Sequence, residues 1–177
     1  MIDLVKQILV YYFKHHKIPT TNDLNIEDKT LLKKKWSVFV TFYKSWEIRW
    51  AAWTVKELKN NIIEELIDNT ISALKDDFRF EPIKKEEIKD LKIRVDIIKD
   101  RKILKNSKEL ENLSPVKKWI IVIKKDYSKL AIILPNIDHK LFSWKDYFPI
   151  LTKKLDELFY PKDYIIYEIE TEVFSDF

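Results

Sequence analysis

The residues best suited to chemistry lie in one short segment, residues 46–53, where Arg49 stands among three tryptophans. The guanidinium of arginine is a planar fork of donors that matches a carboxylate or a phosphate. Such a segment can form a strand that faces an anionic ligand. The same residues can form an aromatic cluster that covers a sheet, with Arg49 stacked on an indole ring. The residues alone leave both interpretations open.

Two acidic pairs and two lysine runs are weaker candidates for a site. The acidic pairs, at residues 76–77 and 86–87, could supply general acid–base catalysis, but such pairs also cap helices or face solvent. The lysine runs, at residues 33–35 and 117–118, could touch phosphates. In a chain with 29 lysines, however, clusters of this kind are typical of a solvated surface.

Neither a metal site nor a cofactor is predicted. His15 and His16 point about 100° apart on a helix and cannot form the i, i+4 pair that grips zinc, and His139 is isolated in sequence. With no cysteine, the chain has no thiolate ligand, disulfide or cysteine nucleophile. With no glycine, it lacks the glycine-containing nucleotide motifs.

Charge and hydropathy limit the classes of protein to which this chain can belong. Lys+Arg 33 against Asp+Glu 29 gives a net charge of +4 with mixed signs, and no lysine run is interleaved with aromatic residues, so a nucleic-acid partner is not expected. The apolar runs fall far short of the ~18 residues that span a membrane. The N-terminus lacks a signal-peptide pattern. A cytoplasmic protein with no membrane contact is therefore expected, and its oligomeric state is left open.

The apolar spacing predicts elements that would position these residues. A helix over residues 2–16 precedes a hairpin of strands 38–43 and 48–55. A helix over 55–76 follows, with Thr54 and Glu57 as its capping box. The remaining elements are a helical turn at 85–89, a half-buried strand at 91–97, a hairpin of 120–123 and 130–134, a helix from Ser143 to about residue 158, and a strand at 164–174.

Hairpins with helices inserted between them predict an α+β fold with a mainly antiparallel sheet flanked by helices. Regular βαβ alternation is absent, which argues against a doubly wound nucleotide-binding fold. Because no linker, repeat or low-complexity segment interrupts the pattern, a single domain over residues 1–177 is expected.

Several short motifs occur in an order that identifies a family. Residues 36–41 end in Phe-Val-Thr, residues 77–82 read Asp-Phe-Arg-Phe-Glu-Pro, residues 134–137 read Leu-Pro-Asn-Ile, and Trp144 opens a helix. From residue 4 to residue 174 this order resembles the AMMECR domain, named for the Alport syndrome, midface hypoplasia and elliptocytosis chromosomal region. The family's Leu-Arg-Gly-Cys-Ile-Gly hexapeptide corresponds here to Ile48, Arg49, Trp50, Ala51, Ala52 and Trp53.

The resemblance implies an α+β domain with a cleft beside the hexapeptide. It also implies a place near Memo-type and radical-SAM proteins, which family members often accompany, although the family's own activity is not settled. Arg49 is then the expected anion-binding residue, with Thr41, Asp77 and Arg79 in support. The family's cysteine position holds Ala51, so a thiol mechanism at that position is closed to this chain.

Two functional hypotheses follow from the resemblance and the residues. The first is a catalyst or component of a small enzymatic pathway that binds a small anionic molecule. The second is a non-catalytic module that binds a protein or a nucleic acid, which the missing cysteine and the indole cluster favour because exposed aromatic residues act as anchors.

The glycine count singles out five positions. At the usual ~7%, a chain of this length would carry about 12 glycines, and this one has none. Five of its six tryptophans fall where the family has glycine: Trp36, Trp46, Trp50, Trp53 and Trp119. One hypothesis is that the source organism decodes UGA as glycine and that the printed letters are standard-code tryptophan. The alternative is genuine substitution under A+T bias, which must place the largest residue at five small-residue sites.

Overall fold

A computed structural model describes residues 1–77, 80–114, 118–133 and 141–177 of the chain. Arg79, expected to support the ligand site, and the family segment 134–137 lie outside the described residues. Within them, no helix is both long enough and apolar enough to cross a membrane.

The described residues form four α-helices and six β-strands. The helices are α1 (Ile2–His15), α2 (Ile62–Lys75), α3 (Ser107–Glu111) and α4 (Tyr147–Leu155). The strands are β1 (Val38–Lys44), β2 (Glu47–Trp53), β3 (Lys92–Leu104), β4 (Trp119–Lys124), β5 (Leu130–Ile133) and β6 (Tyr164–Ser175). Short 3₁₀ helices span Thr21–Asp23, Lys29–Lys33, Lys85–Asp90, Trp144–Asp146 and Pro161–Asp163.

The strands form one sheet in the order β2-β1-β3-β6-β4-β5. The pairs β1–β2, β1–β3, β4–β5 and β4–β6 are antiparallel. The predicted α+β class with an antiparallel sheet is therefore confirmed. The chain divides into two compact units, one of Met1–Ile98 with Glu172–Phe177 and one of Lys99–Thr171.

In the first unit, β1 lies between β2 and β3, and the core lies on the side of the sheet that faces α1 and α2. Because alternate strand residues point to opposite faces, Val38, Val40 and Phe42 all enter this core and are fully buried. The apolar faces of α1 and α2 cover them, as the helical spacing of their leucines and isoleucines predicts.

The predicted strand at 91–97 is present as the first part of β3, but its polar face is not solvated throughout. Asp96 lies on the face expected to be solvated, yet it is fully buried. Arg94 donates two hydrogen bonds of 2.8 Å to its carboxylate, from Nε and Nη2. A bidentate ion pair compensates the burial of a charge, which an alternation of polar and apolar letters cannot reveal.

Helix α2 begins later than predicted, and Thr54 is not its cap. Asn61 caps the helix, since its Oδ1 accepts the N–H groups of Ile63 and Glu64 at 3.0 Å each. The hydroxyl of Thr54 instead donates to Glu65 Oε2 at 2.9 Å. Residues 54–61, between β2 and α2, therefore lie against the first turn of the helix before the chain becomes helical.

Glu65 is the fully buried carboxylate that holds this segment against α2. Besides the Thr54 hydroxyl, it accepts the backbone N–H groups of Leu58 and, at 2.7 Å, of Lys59. Asn69 approaches Oε2 from the next helical turn, at 3.5 Å. Every described group that faces this carboxylate is a donor, so the site requires an acceptor on both oxygens.

The second unit contains β4, β5, α4 and the part of β6 that ends at Thr171. The predicted capping box is present, because the Asp146 carboxylate accepts the Ser143 N–H at 2.7 Å. A 3₁₀ turn follows, so α4 starts only at Tyr147 and carries Pro149 in its first turn, where proline is tolerated. The helix ends at Leu155, three residues earlier than predicted, where Asp156 adopts a left-handed φ of 52°.

We expect Glu65→Gln to lower the free energy of unfolding by about 1–3 kcal/mol, because the amide nitrogen would face a donor inside the protein. Urea titration measures the effect. The matched control is Asp68→Asn on the same helix, whose carboxylate is half exposed and pairs with Lys59, and which should change stability by less than about 1 kcal/mol. Equal effects of the two substitutions would contradict the buried role of Glu65.

Candidate functional site

The hairpin that carries the candidate site turns through only two residues. Ser45 and Trp46 separate the paired residues Lys44 and Glu47, and their φ angles are 52° and 68°. A type I′ turn requires positive φ at both central positions, because this twist matches that of the strands. Trp46 is thus held in a left-handed conformation, with 75% of its surface exposed and its ring edge-on to Phe177 at 5.7 Å.

A bulge on β2 presents Arg49. Phe42 pairs with Trp50 and Tyr43 with Ile48, so Arg49 is the extra residue without an opposite partner. A bulge bends the strand and redirects the side chain that it carries. The guanidinium of Arg49 lies 5.9 Å from the ring centre of Phe80 and 6.0 Å from that of Trp50. The stacked arginine that one interpretation of the sequence expected is therefore present.

Glu87 is the carboxylate that Arg49 meets. Arg49 Nε donates to Glu87 Oε2 and Nη2 donates to Oε1, each at 3.3 Å. Lys44 Nζ donates to Oε2 at 2.9 Å, and the Lys84 N–H donates to Oε1 at 3.1 Å. One carboxylate thus joins the end of β1, the bulge of β2 and the 3₁₀ helix that precedes β3.

These contacts keep Glu87 ionised. The hydrogen bond from Lys44, with help from the Lys84 N–H and from Arg49, lowers the pKa of Glu87 from 4.5 to about 2. A carboxylate with this pKa cannot act as a general acid near neutral pH. Its role is to position, and it leaves one net positive charge on the cluster of Arg49, Lys44 and Glu87.

Asp77 meets the motif strand at its free edge. The sheet order places β2 at an edge, and Asp77 Oδ2 accepts the N–H of Ala51 at 3.2 Å. Asp77 is itself buried. Its carboxylate accepts a hydrogen bond from a backbone N–H that would otherwise be unpaired at the sheet edge. The structure therefore brings Asp77 to the position of the family's cysteine.

Thr41 lies behind the motif on the neighbouring strand. It is buried and is the register partner of Ala51 on one side and of Arg94 on the other. No hydrogen bond joins it to Arg49 in the described part of the chain. Of the expected site residues, Arg49 lies on the motif strand, Thr41 lies beside it on β1, and Asp77 binds its outer edge.

The remaining motif residues divide between core and surface. Trp50 is 1% exposed in the helix-facing core, and its Nε1 has no hydrogen-bond partner among the described residues. Trp53 stacks on Phe39 with ring centres 5.5 Å apart, and Ile48 is exposed. Ala51 and Ala52 are half-buried.

Sequence reasoning missed the role of Glu87. The pattern predicts that the acidic pair acts as acid or base, caps a helix or faces solvent. Glu87 does cap the 3₁₀ helix through the Lys84 N–H, but the pattern does not predict its ion pairs with Arg49 and Lys44. The partner of Arg49 is 38 residues distant in the chain, and a residue pattern carries no signal for that contact. In the described ranges, no three His, Asp or Glu side chains converge as a metal site would require.

Comparison with known proteins identifies a family. The AMMECR1 family model matches residues 2–175. A Thermotoga maritima protein is 26% identical over 133 residues, covering 75% of this chain and 72% of its own length. Protein CA_C1420 of Clostridium acetobutylicum is 33% identical over 138 residues, covering 77% of this chain but only 28% of that longer protein.

One solved structure shares the fold. The crystal structure titled Uncharacterized Protein PH0010, from Pyrococcus horikoshii, superposes with a TM-score of 0.83. The match covers 98% of this chain and 88% of the other at 18% identity. At that identity the likeness concerns the fold alone.

We expect the Glu87 contacts to stabilise the protein above about pH 4.5 and to be lost as the pH falls toward 2, because the pKa is depressed in the folded state. Glu87→Gln should therefore flatten part of the acid limb of stability in this window. Glu157→Gln is the comparison variant. Lys124 and Tyr164 lower the pKa of Glu157 to about 2 as well, so this substitution should flatten the acid limb in the same window. Urea titrations of both variants between pH 2 and 5 test this expectation. An acid limb that Glu87→Gln leaves unchanged would contradict it.

Proposed function

Because this chain belongs to the AMMECR1 family, we propose that it acts in a small enzymatic pathway and binds a small anionic molecule beside β2. The proposed ligand site consists of Arg49, with Asp77 and Thr41 holding the strand that presents it. Arg79 completes the proposal and lies outside the described residues. Memo-type and radical-SAM proteins are the partners proposed.

The observation that carries the proposal is the incomplete neutralisation of Arg49. Two cations, Arg49 and Lys44, share the single carboxylate of Glu87. In the described structure, Nη1 of Arg49 donates no hydrogen bond, and the side chain keeps 19% of its surface exposed. An anion that approaches this edge finds a preoriented donor and a net positive charge.

Ala51, at the family's cysteine position, favours a role in ligand binding over thiol catalysis at this site. An alanine at the family's cysteine position has no nucleophilic atom, so Ala51 supplies no thiol chemistry. The neighbouring Glu87 is ionised and pairs with cations, which suits a positioning role. The proposal therefore assigns ligand binding to this site.

We expect Arg49→Gln to weaken anion binding by about tenfold or more, since a charge-assisted hydrogen bond is lost. Heteronuclear NMR titration with inorganic phosphate and with succinate measures the affinity through the Ala51 amide in every protein, and through the Arg49 side chain in those that retain it. Arg101→Gln is the matched control, with an arginine of the other compact unit. Glu87→Gln should strengthen binding because it releases the guanidinium. Identical affinities in all four proteins would refute the site.

The alternative proposal is a protein-interaction module. It has its own support in the exposed aromatic tip, where Trp46 and Phe177 pack edge to face beside exposed Ile48. Aromatic residues that protrude in this way are typical anchors of interfaces. Glycine at position 46 in the native protein would remove the anchor and count against this alternative.

We also propose that Trp36, Trp46, Trp50, Trp53 and Trp119 are glycine in the protein made by its native host, through UGA decoded as glycine. The support differs from site to site. Trp46 has a φ of 68°, and a left-handed conformation costs a bulky residue about 1–2 kcal/mol. At Trp50 the indole N–H is buried without a described partner, which also opposes stability. None of the other four positions has a positive φ.

We expect the intact mass of the protein from its native host to be lower than the mass calculated for a chain with six tryptophans, by five tryptophan-to-glycine differences. Trp144, which falls on a family tryptophan, should remain, and peptide mapping identifies it as the internal control. The same protein produced from a standard-code host supplies the reference mass. A native mass that accounts for six tryptophans would overturn the proposal.

A further inference from the structure

The second compact unit contains a cavity of about 490 Å³ that the proposed function does not use. It lies between the end of β3 and the start of β6, and α3, the β4–β5 turn and the 3₁₀ helix Pro161–Asp163 contribute to its walls. This volume is within the usual ~300–1,000 Å³ of small-molecule sites. The cavity is therefore large enough for a ligand rather than for a few waters.

The floor of the cavity is apolar. Leu104, Leu110, Trp144, Tyr164 and Ile166 line it and belong to the buried core of the unit. Their side chains are fixed by core packing, so the floor keeps its shape without a ligand. A surface of this kind binds an aliphatic or aromatic body by removing it from water.

The rim of the cavity is cationic. Lys105, Lys125 and Lys162 line it, and the described lining includes no aspartate or glutamate. Within the described ranges, none of the three ammonium groups forms an ion pair. Glu109 lies nearby, but its carboxylate already accepts the Lys105 N–H at 2.6 Å and pairs with Lys102 at 3.3 Å. Asp163 follows Lys162, and its backbone carbonyl accepts the Lys125 N–H at 3.0 Å.

We propose that this cavity binds a soluble amphiphilic anion, with its apolar body on the floor and its carboxylate, phosphate or sulfonate at the three lysines. The separation of an apolar floor from a cationic rim sets this class of ligand apart from sugars and from neutral apolar molecules. The proposal is independent of Arg49. None of the five positions proposed to be glycine lines the cavity, and the tryptophan that does, Trp144, falls on a family tryptophan.

Two fluorescent probes of nearly equal shape test the proposal. Anilinonaphthalene sulfonate carries an anionic group, and N-phenylnaphthylamine is its neutral counterpart. We expect the folded protein to bind one molecule of the sulfonate per chain, more tightly than the neutral probe and less tightly as salt is added. Replacing Lys105, Lys125 and Lys162 by glutamine should weaken sulfonate binding about tenfold and leave the neutral probe unchanged.

The control protein carries Lys108→Gln and Lys153→Gln, which remove exposed lysines of the same unit outside the cavity. It should bind both probes as the parent does. Ile103→Trp places a larger side chain at the half-exposed cavity wall and should weaken both probes together. Arg49→Gln should alter neither. Equal sulfonate affinity in the lysine-substituted and control proteins, or unchanged binding by Ile103→Trp, would overturn the assignment.

Discussion

The carboxylate of Glu87 is the constraint on which the candidate site depends. It accepts hydrogen bonds from Arg49, Lys44 and the backbone of Lys84, and so joins the β1–β2 hairpin to the 3₁₀ helix that carries Glu87, 38 residues beyond Arg49 in the chain. Because those donors favour its ionised form, the pKa stays near 2 and the contacts persist through the physiological range. Arg49 is consequently held in one orientation, and an incoming anion must share the arginine with Glu87 or displace it.

Two kinds of contact hold the motif strand in place: the ion pair of Arg49 with Glu87, and a hydrogen bond to the backbone at the open edge of the strand. As an edge strand, β2 would leave backbone donors open on one side, and Asp77 closes one of them at Ala51. The bulge at Arg49 interrupts the ladder on the other side. A strand pinned at its edge and broken at its bulge can direct Arg49 outward while Trp50 remains in the core. The same backbone therefore serves packing and ligand presentation.

The five tryptophans at family glycine positions place unequal demands on this fold. Only Trp46 occupies the left-handed region, in a two-residue turn where glycine is the usual residue. Trp50 and Trp119 lie fully in the core, and Trp53 stacks against Phe39. Backbone conformation therefore favours glycine only at position 46. At the other positions the difference between glycine and tryptophan is the volume of the side chain. With glycine at position 50, the volume beside Arg49 and Phe80 would be open, and the cleft implied by the family resemblance would have room there.

By itself, the sequence determined the family, the α+β class and most elements, including α1, the β1–β2 hairpin and the Ser143–Asp146 box. These features are encoded within a few turns or strand lengths, where periodicity and cap residues act directly. Tertiary structure alone decided the start of α2, the burial of Asp96, the partner of Arg49 and the cavity of the second unit. The partner of Arg49 and the cavity depend on donors or apolar surfaces brought together from distant positions. At the start of α2 and at Asp96 the partners are near in sequence, and it is burial by the rest of the fold that distinguishes them from other local candidates. Local patterns do not specify which distant groups will meet, because that is settled by packing of the whole chain.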